Sequence, residues 1–431
     1  MKKTILIILL VLFSLIFFSS FSFSQQTGFA MGYNGTLLKT TNYGENWISQ
    51  SIGTTQTLWS SWFINPSTGW IVGGTYSVTG IILKTTNGGN NWVQQFSTSR
   101  SWLTSVYFLN PQTGWVAGSG NAILKTTNGG INWLIKSDLT EILLIESINF
   151  INANTGWITG WGGIIKKTTN GGETWFSLSS GTTSNLYTAK FFSDSIGYVA
   201  GSSGKIMKTT NGGYSWTQLN SGYGSEIFSL YFISRFTAIA CGNSGTILRT
   251  TNGGNNWVQV SSGATIRLEC IEFINEFTGW IVGGFGGDVI LKTTNGGINW
   301  TQQTSGSNQQ LFCIIFPHGT GNEITRENSE IPDGFRLYQN YPNPFNPSTK
   351  IKFDVPKDAV FPLRRGVGGI VSIKIFDIRG KEISTLVNEQ LQPGSYEVTL
   401  DASAFPSGIY FCRMEIADKS FTDVKRMILV K

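Results

Sequence analysis

Histidine and charge are both scarce in this chain. One histidine, His318, occurs among 431 residues, and charged residues make up 13% of the chain. A single histidine excludes catalytic triads and metal clusters that depend on histidine. The net charge of +6 is spread along the chain rather than gathered in a basic stripe, so nucleic acid is not an expected partner.

Motifs for common catalytic sites are also missing. No GxSxG nucleophile motif occurs, and GSSGK at 201–205 lacks the earlier glycine of a phosphate-binding loop. Carboxylates are sparse before residue 320. We therefore expect no cofactor and no metal. Among enzymes, only a hydrolase with paired carboxylates stays open as an alternative.

Cysteine is rare, with four residues in the whole chain. Cys270 and Cys313 take positions where other repeats carry serine or threonine, which indicates small core residues. Because an exported protein can form disulfides, a bridge is an alternative. We expect free buried thiols instead, since equivalent positions on neighbouring repeats should lie beyond the Cα spacing of about 5.5–6 Å that a disulfide prefers.

Long apolar runs are limited to residues 5–18, which follow Lys2 and Lys3 and precede a serine-rich stretch. This pattern predicts a signal peptide over residues 1–24, with cleavage before Gln25. A single membrane anchor is the alternative. No similar run follows, so no transmembrane segment is expected after cleavage.

The chain does contain a repeated phrase, KTTNGGxNW in its commonest form. Seven copies are anchored by one asparagine each, with gaps of 41 to 45 residues between them: Asn42, Asn87, Asn128, Asn170, Asn211, Asn252 and Asn295. A period in the low forties is typical of a four-stranded propeller blade. The first copy lacks a preceding strand, and LFCIIF at 311–316 lacks a following copy. The sequence therefore predicts an all-β fold, with a seven-bladed β-propeller over residues 25–320 closed by a split blade.

The shared skeleton of the phrase is Thr-x-Asn-x-Gly-x-x-Trp. A tight turn needs a residue with positive φ, which glycine supplies, and asparagine can bond to the amides of its own turn. Seven identical turns cannot form one active site, so we interpret the phrase as structural. We expect its tryptophan to pack against the neighbouring sheet.

This skeleton resembles the Asp-box, with asparagine in the aspartate position. The unit TGWIVG followed by ILKTTNGGxxW most resembles the repeat of the photosystem II stability and assembly factor family, over about residues 28–316. The resemblance implies a seven-bladed propeller that binds protein partners. That family has an arginine-lined binding face, whereas residues 25–320 hold only four arginines: Arg100, Arg235, Arg249 and Arg267.

The loops opposite the repeated turns vary from repeat to repeat, and they are the predicted ligand-binding face. The candidates before the first strands are Trp102, Asn185, Glu226, Arg267 and Gln310, and those between the second and third strands are Tyr76, Trp161 and Phe285. Exposed aromatic rings with a few polar groups suit a peptide or a glycan. The alternative is that these residues pack locally between loops.

After residue 320 the chain becomes richer in charge and proline. This change predicts a linker at 321–334 and a small Ig-like β-sandwich at 335–431, made of strands separated by Gly/Pro turns. An ordinary fibronectin-like spacer is the alternative to a dedicated export domain.

The C-terminal region strongly resembles the type A sorting domain of the type IX secretion system. The residues that carry the resemblance are Tyr341, Pro342, Asn343, Pro344, Phe345, Asn346 and Pro347, together with SGIY at 407–410 and the basic chain end. The resemblance implies that the type IX machinery is a partner, and that the protein crosses the outer membrane to be released or attached to the cell surface.

Two classes of function follow from these observations. The first is a secreted or cell-surface binding protein without catalysis, whose propeller recognises a protein or glycan ligand. The alternative is a secreted carbohydrate-active hydrolase of the sialidase or glycosidase type. A monomer is expected in either case.

Overall fold

The structure, a computed structural model, describes residues 27–75, 79–99, 101–136, 144–234, 236–317, 325–328, 332–356, 371–389, 391, 394–402, 405–416 and 421–431. The predicted signal peptide, Tyr76 and His318 lie outside these residues. The chain divides into two compact units, Met1–His318 and Gly319–Lys431. Among the described residues, no helix has the length and apolar character needed to cross a bilayer.

The first unit contains seven antiparallel four-stranded sheets, each of which is one blade. Blade 1 begins with Gly28–Gly32 (β1), Leu37–Thr40 (β2) and Ile48–Ser49 (β3). Blade 2 contains Leu58–Phe63 (β4), Gly69–Thr75 (β5), Thr79–Thr85 (β6) and Val93–Thr98 (β7). Blade 3 contains Leu103–Phe108 (β8), Gly114–Gly118 (β9), Ile123–Thr126 (β10) and Leu134–Ile135 (β11). Blade 4 contains Ile145–Phe150 (β12), Gly156–Gly160 (β13), Ile165–Thr168 (β14) and Phe176–Leu178 (β15).

The remaining blades repeat this order. Blade 5 contains Leu186–Phe191 (β16), Gly197–Gly201 (β17), Ile206–Thr209 (β18) and Thr217–Leu219 (β19). Blade 6 contains Ile227–Phe232 (β20), Ala238–Gly242 (β21), Ile247–Thr250 (β22) and Val258–Val260 (β23). Blade 7 contains Leu268–Phe273 (β24), Gly279–Gly283 (β25), Val289–Thr293 (β26) and Thr301–Gln303 (β27), and is followed by Leu311–Ile315 (β28). Short 3-10 helices at Tyr33–Gly35, Trp161–Gly163 and Asn243–Gly245 join the second and third strands of blades 1, 4 and 6.

The last strand of the unit completes the first blade. Strand β28 pairs antiparallel with β1, with Phe29 opposite Ile315 and Met31 opposite Cys313, so blade 1 has the order β28-β1-β2-β3. The predicted all-β fold, with a seven-bladed propeller and a split closing blade, is confirmed. Because β28 pairs with β1, no open sheet edge is left between the first and last blades.

The first strand of every blade is innermost, and these strands contact one another around a closed ring. Polar side chains link some of them; for example, the backbone N–H of Ile148 donates to Ser105 Oγ at 3.2 Å, and that of Ala189 donates to Ser147 Oγ at 3.3 Å. In blades 2 to 7 the register shifts near the start of this strand, as in β4 between Leu58 and Ser60. Because of this bulge, neighbouring second and third positions stay half-buried beside the central channel.

Aromatic pairs join the blades. In six of the seven interfaces, a ring on the second strand of one blade contacts the last phenylalanine of the next blade's first strand: Phe29–Phe63, Trp70–Phe108, Trp115–Phe150, Trp157–Phe191, Tyr198–Phe232 and Trp280–Phe316. In the seventh, Ile239 belongs to the same apolar cluster as Phe273. These rings are mostly buried and supply much of the hydrophobic stabilisation between blades.

All four cysteines are free. Cys270 and Cys313 lie on adjacent innermost strands, and their thiols approach the same carbonyl, that of Ile314, at 3.8 and 3.9 Å. A hydrogen bond from Cys313 and burial together raise the pKa of the Cys270 thiol. The small third position of the first strand therefore lets neighbouring blades converge, as the serines do elsewhere.

The second unit is a sandwich of two four-stranded antiparallel sheets. Its strands are Thr325–Asn328 (β29), Arg336–Leu337 (β30), Ser348–Val355 (β31), Val371–Phe376 (β32), Glu382–Glu389 (β33), Gly394–Asp401 (β34), Gly408–Ile416 (β35) and Thr422–Leu429 (β36). The sheet orders are β29-β34-β31-β30 and β33-β32-β35-β36. Strand β29 lies inside the stretch that the sequence placed in a linker, and it pairs with β34 through Thr325 opposite Glu397.

The YPNPFNP segment is tied to the last strand of the sandwich. Asn343 accepts a hydrogen bond from the N–H of Ile428 at 2.9 Å and donates one to the carbonyl of Arg426 at 3.1 Å. Phe345 is buried in the sandwich core, and its N–H donates to the Ile428 carbonyl at 2.9 Å. The motif is therefore bonded directly to strand β36.

Candidate binding site at one mouth of the central channel

The Thr-x-Asn-x-Gly turns have the same internal hydrogen bonds in all seven copies. In the second copy, Thr85 Oγ1 donates to Asn87 Oδ1 at 3.0 Å, and the N–H groups of Gly89 and Asn91 donate to Thr85 Oγ1 and Asn87 Oδ1 at 2.9 and 3.0 Å. The equivalent anchors behave alike: Asn42, Asn128, Asn170, Asn211, Asn252 and Asn295. The asparagine oxygen is thus occupied by the turn itself.

Close packing explains the glycine that every copy keeps. Gly89 has φ of 73°, and a Cβ atom there would lie 2.3 Å from the Phe29 ring of the preceding blade. In the first copy Tyr43 replaces the other glycine and adopts φ of 59°, so that position tolerates a side chain. The turn tryptophan Trp92 meets the rings of Phe29 and Phe63 edge-on. The turn therefore packs its own blade tightly against the preceding blade.

The lysine or arginine before the turn bonds to the turn carbonyl of the next blade in blades 1, 2 and 6. Lys84 Nζ donates to the carbonyl of Gly129, in the turn of blade 3, at 2.6 Å, and it lies 5.2 Å from the ring centroid of Trp70. In blade 6, Arg249 replaces this lysine and its Nε donates to the carbonyl of Gly296 at 2.9 Å. The repeated phrase therefore helps to hold the ring together.

The opposite end of the channel carries the loops between fourth and first strands and between second and third strands. Two rows of seven residues surround this mouth. The row just before the first strands is Thr57, Trp102, Leu144, Asn185, Glu226, Arg267 and Gln310, and the second positions of those strands are Trp59, Thr104, Glu146, Tyr187, Phe228, Glu269 and Phe312. We call these two rows the channel mouth.

Glu269 is the centre of a group of interacting side chains at the mouth. Arg267 Nε lies 2.5 Å from Glu269 Oε1, and Gln310 Nε2 donates to the same oxygen at 3.1 Å. The Arg267 guanidinium also lies over the Phe228 ring, with Cζ 3.8 Å from the centroid. Burial raises the pKa of Glu269 to about 7, although Arg267 and Gln310 act in the opposite direction. The predicted residues Arg267 and Gln310 thus meet around a carboxylate that the sequence did not single out.

Glu146 is the second carboxylate at the mouth. Its Oε1 accepts a hydrogen bond from the indole N–H of Trp161 at 2.7 Å, and the Trp161 side chain is about half exposed. Burial raises the pKa of Glu146, while Trp161 and the more distant charge of Arg267 lower it. The charge of Glu146 in turn raises the pKa of Glu269, so the two carboxylates interact through space.

Glu226 and Asn185 hold the surrounding loops. Glu226 Oε2 accepts hydrogen bonds from Ser225 Oγ at 2.7 Å and from Asn243 Nδ2 at 3.3 Å, and the Ser225 bond is the main reason that its pKa is lowered. Asn185 Oδ1 accepts from the N–H of Gly162 at 3.0 Å, beside Trp161. The hydrogen bonds of these two predicted residues therefore hold neighbouring loops in place around the mouth.

The other predicted residues have separate environments. Trp102 is half-buried, and its backbone and Cβ lie against Gly74 of blade 2, which favours local packing. Phe285 is 77% exposed in the loop between the second and third strands of blade 7. Tyr76 lies outside the described residues.

Sequence reasoning missed Glu146, Tyr187, Phe228 and Glu269, although a signal was present. The seven first strands have the pattern LWS, LTS, IES, LYT, IFS, LEC and LFC, in which only the middle position changes its chemistry. Alternation alone would place that residue on the buried face of the sheet. The bulge turns it toward the channel instead.

Two surface hollows lie elsewhere on the propeller. One is lined by Gly163 and the stretch 177–183 in blade 4, and the other by Gly35 and the stretch 51–55 in blade 1. They occupy equivalent places beside the third and fourth strands, so they are features of the blade fold. Within the described residues, no group of three or more His, Cys, Asp or Glu side chains is placed to hold a metal ion.

Comparison with known families agrees with this architecture. Residues 94–182 and 175–265 match the family described as photosynthesis system II assembly factor YCF48. Residues 339–430 match the secretion system C-terminal sorting domain. Both resemblances are confirmed. The sorting domain indicates export through the type IX secretion system, to the cell surface or the medium, with that machinery as a partner. No curated protein matches the chain.

Solved structures share the propeller fold. YCF48 from Cyanidioschyzon merolae is 19% identical with a TM-score of 0.51, and the match covers 62% of this chain and 91% of that one. A GH74 xyloglucanase from Xanthomonas campestris is 10% identical with a TM-score of 0.51, covering 77% of this chain and 56% of that one. The WD40 propeller domain of Doa1 is 13% identical with a TM-score of 0.50, covering 68% and 94%. Such low identities show the fold and leave activity open.

Proposed function

We propose that the protein is an exported recognition module without catalysis, whose propeller binds a protein or glycan at the channel mouth. The observation that carries this proposal is the separation of the two ends. The repeated turns are fully occupied by hydrogen bonds and ring contacts within the frame. The second position of the innermost strands varies between blades and collects aromatic, acidic and polar side chains at the other end.

The chemistry of the mouth supports recognition. Trp161 and Phe285 expose large apolar surfaces, and Tyr187 and Phe228 line the channel 5.2 Å apart between ring centroids. Exposed aromatic rings beside a few fixed polar groups are typical of sites that bind peptides or sugars. A rigid frame keeps these groups in place before a ligand arrives, which reduces the entropy lost on binding.

Export determines where the propeller would meet its ligand. The sorting domain supports passage through the outer membrane, and residues 1–24 would carry the chain across the inner membrane as a signal peptide. The propeller would then meet ligands at the cell surface or in the medium, with or without its C-terminal unit.

A matched pair of substitutions tests the proposal. Phe285 and Phe277 are both exposed phenylalanines of blade 7, at 77% and 57%, but they lie on loops at opposite ends of the propeller. The purified full chain would be screened for saturable binding on arrays of glycans and peptides. We expect Phe285→Ala and Trp161→Ala to weaken binding of any ligand found, and Phe277→Ala to leave it unchanged. Equal losses for Phe285→Ala and Phe277→Ala, or no saturable ligand, would contradict the proposal.

A glycoside hydrolase is the second candidate, favoured by the two interacting carboxylates. Glu269 has its pKa raised to about 7, as a general acid requires, and Glu146 is a possible base or nucleophile within its electrostatic reach. The ion pair between Glu269 and Arg267 argues for a positioning role instead. Release of reducing sugar by the full chain, abolished in Glu269→Gln, would favour the hydrolase over the recognition module.

A further inference from the structure

We propose that the channel mouth recognises a cationic side chain of a peptide, a lysine or arginine that enters the channel and pairs with the Glu146 carboxylate. This inference rests on the proposed binding function and names its ligand class. It follows from the charge of the mouth, from a cation already held there, and from a carboxylate that lacks one.

The mouth has an excess of negative charge. Its fourteen positions contain three carboxylates, Glu146, Glu226 and Glu269, against one cation, Arg267, which leaves a formal charge of −2. The cations of the repeat frame do not offset it, since residues such as Lys84 and Arg249 bond to the turn of the next blade near the opposite end. A cation that approaches the mouth therefore meets a favourable field in a partly dry site.

Arg267 shows how this mouth holds a cation. Its guanidinium has the Glu269 carboxylate at its edge and the Phe228 ring at its face, 3.8 Å from Cζ to the centroid. Gln310 completes the site by donating to the same carboxylate. A carboxylate beside an aromatic face is a combination that binds ammonium and guanidinium groups well.

Glu146 is the other shielded carboxylate of the mouth, and an indole N–H bonds to it. In the described part of the chain its only hydrogen-bond partner is the neutral indole N–H of Trp161, which bonds to Oε1. Among the described residues, no lysine or arginine forms an ion pair with Glu146 and no hydrogen bond reaches its second oxygen. A shielded carboxylate with a free oxygen and a half-exposed indole at its side is suited to receive a charged donor.

The recessed position of Glu146 favours a peptide over an amino sugar. The residue lies on an innermost strand, where burial raises its pKa, and the half-exposed Trp161 bonds to it. A lysine or arginine carries its charge at the end of a long flexible chain and can reach such a group. An amine attached directly to a pyranose ring would require the whole ring to enter the channel.

The test uses fluorescein-labelled tetralysine, tetraglutamate and tetraglucosamine with the full chain, measured by fluorescence anisotropy. We expect tetralysine to bind, and Glu146→Gln to weaken it about tenfold, because a hydrogen bond to a charged group is lost. Glu276→Gln, which removes one negative charge from an exposed residue at the opposite end, is the control and should change affinity less than twofold. Circular dichroism and the melting temperature would show that Glu146→Gln is folded.

Each other outcome has a defined meaning. Equal tetralysine affinities of Glu146→Gln and Glu276→Gln would overturn the inference, as would the absence of tetralysine binding. Preferential binding of tetraglutamate would overturn the charge argument, and preferential binding of tetraglucosamine would overturn the assignment to a peptide. None of these results would remove the proposed function if an array ligand remained sensitive to Phe285→Ala and insensitive to Phe277→Ala.

Discussion

The two ends of the propeller differ in how their side chains are used. At the turn end, every copy of the phrase forms the same hydrogen bonds, and its lysine or arginine reaches toward the next blade. At the mouth end, the second position of the innermost strands varies between aromatic residues, glutamate and threonine. Sevenfold repetition is what a closed frame needs, whereas a site for one ligand needs asymmetry.

Blade 6 differs from the others in the contact between the second strand and the residue before the turn. It has Ile239 where five other blades have a tryptophan or tyrosine and blade 1 has Phe29. Arg249 lies opposite Ile239 in the strand register and replaces the lysine that elsewhere lies near an aromatic ring. The guanidinium keeps the hydrogen bond to the next turn even though the ring is absent. The bond between blades therefore does not require the ring in this blade.

The largest loss of propeller stability should follow from removing an aromatic ring that packs between two blades. Trp157 is fully buried, its ring centroid lies 3.8 Å from that of Phe191, and its N–H donates to the Gly212 carbonyl at 3.0 Å. We expect Trp157→Ala to destabilise the propeller by about 3–5 kcal/mol, because it leaves a large cavity between blades. Chemical denaturation followed by tryptophan fluorescence measures this, since all 15 tryptophans precede residue 301. A loss below about 1 kcal/mol would contradict the assigned role of the ring pairs.

The next effect concerns pH and the mouth. The folded pKa of Glu269, about 7, lies above its ordinary value of 4.5, so between these values the folded state holds a proton that the unfolded state has lost. Stability should fall as pH rises from about 4.5 to 7, by about 3 kcal/mol from this group, and level off above pH 7. Burial of Glu146 acts in the same direction.

Glu269→Gln isolates this contribution. We expect the melting temperature of the propeller, followed by tryptophan fluorescence, to change less with pH in the variant than in the parent between pH 4.5 and 7. Carboxylates with lowered pKa, such as Glu173 and Glu226, affect stability mainly below this range. Parallel pH profiles for the variant and the parent would show that the mouth carboxylate is not shielded as described.

A smaller effect should come from one turn. Asn87 Oδ1 accepts two hydrogen bonds within the turn, so Asn87→Ala should cost about 1–2 kcal/mol. Asn87→Asp keeps an oxygen in the same place and should cost less than about 0.5 kcal/mol. Denaturation midpoints of the two variants measure the difference. If aspartate were as harmful as alanine, the oxygen would not be the important atom.

The smallest loss of propeller stability should come from removing the hydrogen bond between Lys84 and the next blade. Lys84→Met removes the hydrogen bond to Gly129 and the contact with Trp70 but keeps the apolar stem, and it should cost about 0.5–1 kcal/mol. Lys84→Arg should be nearly neutral, because Arg249 makes the same bond in blade 6. Lys205→Met, at a half-buried lysine whose Nζ lies 3.4 Å from Gln218 Oε1 in its own blade, is the control for loss of one charge. A cost for Lys84→Met no larger than that of the control would show that the tie is unimportant.

Much of the frame could be predicted from the sequence, because each blade repeats the same local chemistry. The seven copies of the phrase predicted the number of blades, and the first copy without a preceding strand predicted the split blade. Strand β29 was missed because its residues, TREN, lack the alternation that marks a strand, and pairing with β34 holds them in place. The mouth was predicted only in part: Arg267, Gln310 and Trp161 were named, but not the carboxylates that they contact.

The sequence by itself determined the repeating contacts, since turn geometry, small residues and buried rings depend on neighbours at fixed spacing. Which unlike residues meet at the mouth was decided only by the tertiary structure. A bulge turns Glu146 and Glu269 inward, and closure of the ring brings blades 4 and 7 within electrostatic reach across more than a hundred residues. Local periodicity contains no information about such contacts, because they depend on how many blades close the ring and on which position of each innermost strand faces the channel.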